Sequence, residues 1–259
     1  MTPERQRRLF DRKVRQLEKK HKAKLAAVIS FQLLQYAMAI KSNPIDAIYG
    51  IDKYFNEEPL RRAMEGLYID SSNAFKFEDP DKILKAVSED TWVTLVTQWI
   101  ANKGGTAITQ VNRFTKAYVL SKLRPILNEG IKQGLGIASI AEMIVANIEE
   151  YSGPFSAYRA TRIARTEIIS TSNWAGLQSI KAAGIQDQVE KFWMPAIDDR
   201  TRMEHAEMEN HLSIPLDGFF QVRRPDGAFD TMQYPGDPRG SAANKINCRC
   251  SIGYRRIKR

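Results

Sequence analysis

Residues 163–197 read IARTEIISTSNWAGLQSIKAAGIQDQVEKFWMPAI, and the character of the chain changes inside them. Up to Ala183 the run belongs to a helix predicted over 155–183, which Gly184 ends by offering the left-handed conformation a helix terminus favours. Beyond it, residues 189–197 (VEKFWMPAI) are short, aromatic and bounded, which suits a strand. Upstream of this junction helical periodicity dominates, and downstream short strands and turn residues do. The fold class that follows is α+β, a predominantly helical N-terminal region followed by a small α+β region.

Working outward toward the N-terminus, residues 4–40 read as one long helix or two abutting ones, broken at Ser42-Asn43-Pro44. Shorter helices are predicted at 45–56 and 58–68. Ser71-Ser72-Asn73 and Asp79-Pro80-Asp81 then read as turns before a helix over 81–102. A further helix covers 106–132, with Pro125 as a kink. Ser139 and Glu142 have capping-box spacing for a helix to Glu150, and Ser152-Gly153-Pro154 reads as a turn. Toward the C-terminus a short helix is expected over 201–210, a turn and strand within 214–222, loop over 223–247, and a final strand over 248–254. Residues 1–134 are expected to form a helical arm and body, 135–254 a compact domain, and 255–259 a basic tail.

Apolar residues make up 43% and charged ones 27%, so neither a disordered nor a collagen-like chain fits. Two cysteines are too few for a disulfide scaffold, and the start lacks the apolar core of a secretion signal, so production in a host cytoplasm is expected. The uncharged run 25–40 has 16 residues, fewer than a spanning helix needs, and reads as a buried bundle helix with no membrane role. The net charge of +9 is concentrated at the ends: residues 1–25 carry +7 and residues 255–259 carry +4, leaving a body near neutrality. Arg5, Arg7, Arg8, Arg12, Lys13, Arg15, Lys19 and Lys20 are therefore the candidates for contact with double-stranded DNA or an acidic partner. With no base-reading motif in view, that contact would be non-specific.

Several residues of the last third occur in a telling order: Ile163-Ala164-Arg165-Thr166-Glu167, Asn173, Trp193, Asp199-Arg200-Thr201-Arg202 with His205, Tyr234-Pro235-Gly236-Asp237, and Asn247-Cys248-Arg249-Cys250. The set resembles the phage Mu protein F-like minor head proteins, a family of head-morphogenesis proteins of tailed phages, over roughly residues 135–254. Where family members commonly carry a glycine five residues after the histidine, this chain has Asn210, the next most tolerant residue of a turn. The resemblance implies a structural role within the virion, in the capsid interior near the portal. Its implied partners are the portal protein and the major capsid protein. A non-specific DNA-binding packaging protein is the alternative.

Cys248 and Cys250 lie two residues apart, so on a strand both side chains face one way. With His205 or His211 they have the makings of a zinc set, although CxC is not the usual knuckle spacing. The competing reading makes them buried, reduced thiols in a domain held by a buried ionic cluster of Asp198, Asp199, Arg200, Arg202, Glu204 and Arg249, with the Asp199/Arg200/Arg249 pairings as its staple and Arg165 and Glu167 joining the network. The second reading is the expectation carried forward, with no cofactor. Arg165, Ser170-Thr171-Ser172 and Glu207-Met208-Glu209 superficially match the arginine, STS and ExE elements of ADP-ribosyltransferases. The first two, however, lie five residues apart on one predicted helix. No phosphate loop, nucleophile elbow or HExxH occurs, and no enzymatic activity is expected.

Overall fold

A computed structural model describes residues 2–77 and 86–257. The Asp79-Pro80-Asp81 turn and Lys258 and Arg259 of the basic tail lie outside the described residues. Six long or medium helices come first: α1 (Pro3–Ser42), α2 (Pro44–Tyr49), α3 (Glu57–Phe75), α4 (Glu89–Trp99), α5 (Gly105–Lys132) and α6 (Ile137–Ala182). The α+β part follows as β1 (Val189–Met194), α7 (Met203–Ala206), β2 (Ile214–Pro215), β3 (Phe220–Arg223), β4 (Phe229–Met232), α8 (Ala242–Lys245) and β5 (Ser251–Arg256).

Several expected boundaries move, each for a packing reason. Ser71 and Ser72 are fully buried inside α3, so burial overrides their turn preference. Pro154 sits within the 46-residue α6, whose buried positions Ile144, Ile148 and Ser156 hold the helix through the lost N–H bond. That helix begins at Ile137, which puts Ser139 in its first turn and leaves the capping box unused. The cysteines precede β5 instead of lying on it, β4 forms inside the expected loop, and Arg255 and Arg256 close β5 in place of starting a tail. Asn210 ends a 3-10 turn, Glu207–Asn210.

The chain divides by compactness into two units, each assembled from separate stretches of sequence. The first comprises Met1–Lys20, Gly66–Trp99 and Arg162–Arg259; the second comprises His21–Glu65 and Ile100–Thr161. The second unit is all helical. Leu25, Ile29, Leu33, Tyr36 and Ile40 recur at helical spacing and are buried, as are Ile108, Val119 and Leu123 of α5 and Ile140, Ile144 and Ile148 of α6. By length and composition α1 is apolar enough to cross a membrane; this stripe packs one face of its apolar run, while Phe31, Leu34 and Met38 are exposed. Buried amides close loose backbone groups here: Asn112 donates to the Phe55 carbonyl at 2.7 Å and Gln32 to that of Asn56 at 2.8 Å.

In the first unit an indole cluster fixes the helices. Trp174 of α6 packs against Trp99 at 4.9 Å and Trp92 at 6.1 Å between ring centroids, and Tyr68 meets Trp99 edge-on at 5.0 Å. Phe10, Val14 and Leu17 are the buried stripe of the basic end of α1. A three-stranded antiparallel sheet runs in the order β2-β1-β5, with Trp193 opposite Ile252, and β3 pairs with β4 as a hairpin.

The edge of β5 not facing β1 is covered by two side-chain amides, where an open ladder would invite pairing with another chain. Asn173 of α6 donates to the Cys250 carbonyl at 3.3 Å and accepts the Ile252 N–H at 2.9 Å. Two residues on, Gln6 of α1 donates to the Tyr254 carbonyl and accepts its N–H, both at 3.0 Å. Lys191 of β1 is fully buried and donates to the carbonyls of Gly218 at 2.7 Å and Gln233 at 3.0 Å, tying the sheet to the segments flanking the hairpin. Gly236, at φ 79°, passes so close to α6 that a Cβ would lie 3.0 Å from Ser170 Cα.

Two outcomes follow. Gly236→Ala combines a left-handed φ with a backbone clash and is expected to lower unfolding free energy by about 1–3 kcal/mol in a urea titration. Burial, with the neighbouring Lys181 charge, pulls the Lys191 pKa down to about 7. Between that value and the unfolded value near 10.4 the unfolded chain binds more protons, so stability is expected to rise with pH across this window and be flat with respect to this group below it. Comparing urea midpoints at pH 7 and pH 9 checks this, and Lys191→Met should abolish the lysine's share of the rise.

Candidate metal centre

Residues 247–250 connect α8 to β5, and α6 dictates their path. Asn247 stands at φ 60°, a left-handed conformation that asparagine tolerates better than most side chains. Its N–H donates to Thr166 Oγ1 at 2.9 Å, and its Oδ1 accepts from Arg165 Nη1 at 2.8 Å. Arg165 also donates Nε to Glu18 Oε1 at 2.8 Å, so one half-buried guanidinium joins α1, α6 and the cysteine segment. With the backbone so placed, Cys248 and Cys250 bring both sulfurs to His205, although neither lies on a strand.

His205, on the single-turn α7, meets them there. Its Nδ1 lies 3.5 Å from Cys248 Sγ and 3.4 Å from Cys250 Sγ, and the three potential ligand atoms lie within 4.8 Å of one another. All three residues are buried, walled by Trp193, Met208, Phe220, Val222 and Met232, with the Trp193 ring edge-on to the imidazole at 5.7 Å. The other ring nitrogen of His205, Nε2, faces Asn244 Oδ1 at 3.1 Å. The Asn244 amide is set in turn by donating Nδ2 to Asp230 Oδ2 at 2.9 Å. Burial opposes the Asp230 charge, but hydrogen bonds from Ser241 and Asn244, with Arg224 nearby, outweigh it and hold the carboxyl below its ordinary pKa. The hydrogen bond between the sulfurs raises the Cys248 thiol, which burial reinforces, and lowers that of Cys250 against its burial. Chemically the cluster is a soft donor set of two sulfurs and one nitrogen.

The structure separates residues that sequence reasoning grouped. His211 is exposed and apart from the sulfurs. Arg249 pairs at 2.5 Å with Asp198, not Asp199, whose side chain is 93% exposed; Arg200 lies 3.4 Å from Asp198 and is also mostly exposed. Of the expected buried cluster the structure keeps a half-buried pair of Arg249 with Asp198, while Asp199 and Arg200 turn outward with this loop; Thr201 anchors the loop by donating to the Ala196 carbonyl. Glu167 accepts from Tyr68 at 2.9 Å. Of the basic candidates, Arg7 is turned inward to Glu209 at 2.9 Å, Lys13 donates to the Ala74 carbonyl, and Lys20 pairs with Asp70. Arg8, Arg12, Arg15 and Lys19 are exposed, four positions on one helical face. Ser170, Thr171 and Ser172 are buried within α6. Asn244, Asp230, Glu18 and Gln6 escaped the sequence reading, since no local pattern distinguishes a buried amide or carboxylate from a surface one.

Removing the Arg165 guanidinium strands Glu18 and the Asn247 side chain together. Arg165→Ala is expected to lower stability by about 1.5–3 kcal/mol, and Arg200→Ala, on the surface, by less than about 0.5 kcal/mol, as read from paired urea melts.

No solved structure matches the chain. The chain is similar to the NAD(+)–arginine ADP-ribosyltransferase EFV of Enterococcus faecalis, at 30% identity over 125 residues. That alignment takes in 47% of this chain and 23% of the relative, so the chain spans about a quarter of that protein's length. Residues 121–253, just over half the chain, match the family described as phage Mu protein F like protein, and they include Arg165, Asn173, His205 and the 247–250 segment. The chain belongs to the phage Mu protein F-like family, and so to the head-morphogenesis proteins of tailed phages.

Proposed function

We propose that the protein is a non-enzymatic minor component of the phage head, placed at the portal inside the capsid and touching packaged DNA through the basic face of α1. Family membership carries the first part of this reading. The observation that supports the second is the exposed row Arg8, Arg12, Arg15 and Lys19, on the side of α1 opposite the buried Phe10, Val14 and Leu17. A helix held by one face and basic on the other presents charges at a spacing that phosphates can meet without any base contact. The ADP-ribosyltransferase-like alternative has less support. Its STS element is buried in α6, and the arginine it would need is engaged by Glu18 and Asn247.

Protein composition of purified virions and proheads tests the placement: a few copies per particle are expected, and absence from both would refute it. For DNA contact, binding of the chain to unrelated duplexes should be indifferent to sequence and fall steeply with salt. Replacing Arg8, Arg12, Arg15 and Lys19 by alanine together is expected to reduce the slope of log affinity against log salt by about 3 to 4. An unchanged slope would assign this face to a protein partner.

A further inference from the structure

We infer that His205, Cys248 and Cys250 hold a structural zinc ion, with Nδ1 as the histidine ligand and the Asp230–Asn244 pair fixing which nitrogen faces the metal.

Three observations carry this. The first is distance. Zinc bonded to nitrogen at about 2.0 Å and sulfur at about 2.3 Å with tetrahedral angles sets the nitrogen and sulfur about 3.5 Å apart. The two separations here are 3.4 and 3.5 Å. The second is the tautomer. A carboxylate only accepts, so Asp230 takes the Asn244 Nδ2 and leaves Oδ1 toward His205. Oδ1 also only accepts, so Nε2 carries the proton and Nδ1 presents its lone pair to the sulfurs. Such an arrangement, a ligand histidine whose far nitrogen donates to an oxygen, is how proteins orient imidazole toward metal. The third is what surrounds the sulfurs. Cys248 Sγ accepts the Cys250 N–H at 3.4 Å, and Cys250 receives a backbone hydrogen bond at Ala196. Each sulfur therefore has a donor suited to thiolate.

A dry hydrogen-bonded cluster fits less well. Nδ1 has one lone pair, and two thiols stand at nearly equal distance from it, so both cannot donate to it well. With one thiol on Nδ1, the other is left to the neighbouring sulfur, a weak acceptor, because the remaining wall of Phe220, Val222 and Met232 is apolar. A divalent ion resolves this by replacing the protons. It would also stabilise the small α+β part, since metal binding contributes directly to folding. Three protein ligands leave one tetrahedral position to a ligand from outside this set.

The test uses the full chain without a histidine tag, expressed with zinc in the medium. Elemental analysis is expected to find about one zinc per chain, and a strong chelator should lower the unfolding temperature. The reduced, metal-free chain titrated with Co(II) should develop thiolate-to-cobalt charge-transfer absorption, and Cys250→Ser should lose it. Should that variant not fold, Asn244→Ala keeps all three ligands and is expected to weaken Co(II) binding roughly 10–100-fold. Absence of zinc together with absence of the charge-transfer band in the reduced chain would overturn the site. Unchanged Co(II) affinity in Asn244→Ala would overturn the assignment of Nδ1.

Discussion

Four consecutive residues, Asn247 to Cys250, are gripped from two sides, and the rest of the first unit is arranged around that grip. On one side α6 supplies Arg165 and Thr166 to Asn247 and Asn173 to the Cys250 carbonyl. On the other, His205 meets both sulfurs and Asp198 meets Arg249. The segment has no regular secondary structure of its own. Its backbone includes a left-handed asparagine, and it holds that shape through the partners that α6 supplies to Asn247 and Cys250 and that Asp198 supplies to Arg249. Strand β5 starts where the grip ends, and the sheet register follows from it.

The same logic explains why the basic end of α1 is folded into the first unit instead of extending as a free arm. Its buried face is short, only Phe10, Val14 and Leu17, but polar contacts extend it: Gln6 completes the β5 edge, Arg7 reaches Glu209 and Glu18 pairs with Arg165. The charges on this face stabilise the fold, and those on the opposite face stand exposed, with Arg8 paired to Glu4 one turn back. A charge count cannot make this division. It depends on which positions share a helical face with the apolar stripe, and on which acidic residues, distant in sequence, stand opposite them.

Helices and the change of texture at Gly184 were legible in the sequence because each rests on local periodicity or on a residue with special backbone freedom. Pro154 inside α6 and Ser71–Ser72 inside α3 were not, because packing overrode the local preference. At the candidate centre the sequence supplied the three donors, His205, Cys248 and Cys250, but ranked ion pairs above a metal. The deciding residues, Asn244 and Asp230, are linked to His205 only through space. Within the ionic cluster, Asp198 and Asp199 are adjacent and chemically alike, and only the turn of the loop gives Arg249 to the first and exposes the second.

Amide hydrogen exchange resolved by residue tests the central claim, that side chains of α6 and α1 grip the cysteine segment and the outer edge of β5. The N–H groups of Asn247, Cys250, Ile252 and Tyr254 donate to Thr166, Cys248, Asn173 and Gln6, so they should exchange as slowly as the amides that pair β1 with β5. Rapid exchange at these four amides, with the rest of the sheet protected, would show the edge to be open and contradict the account.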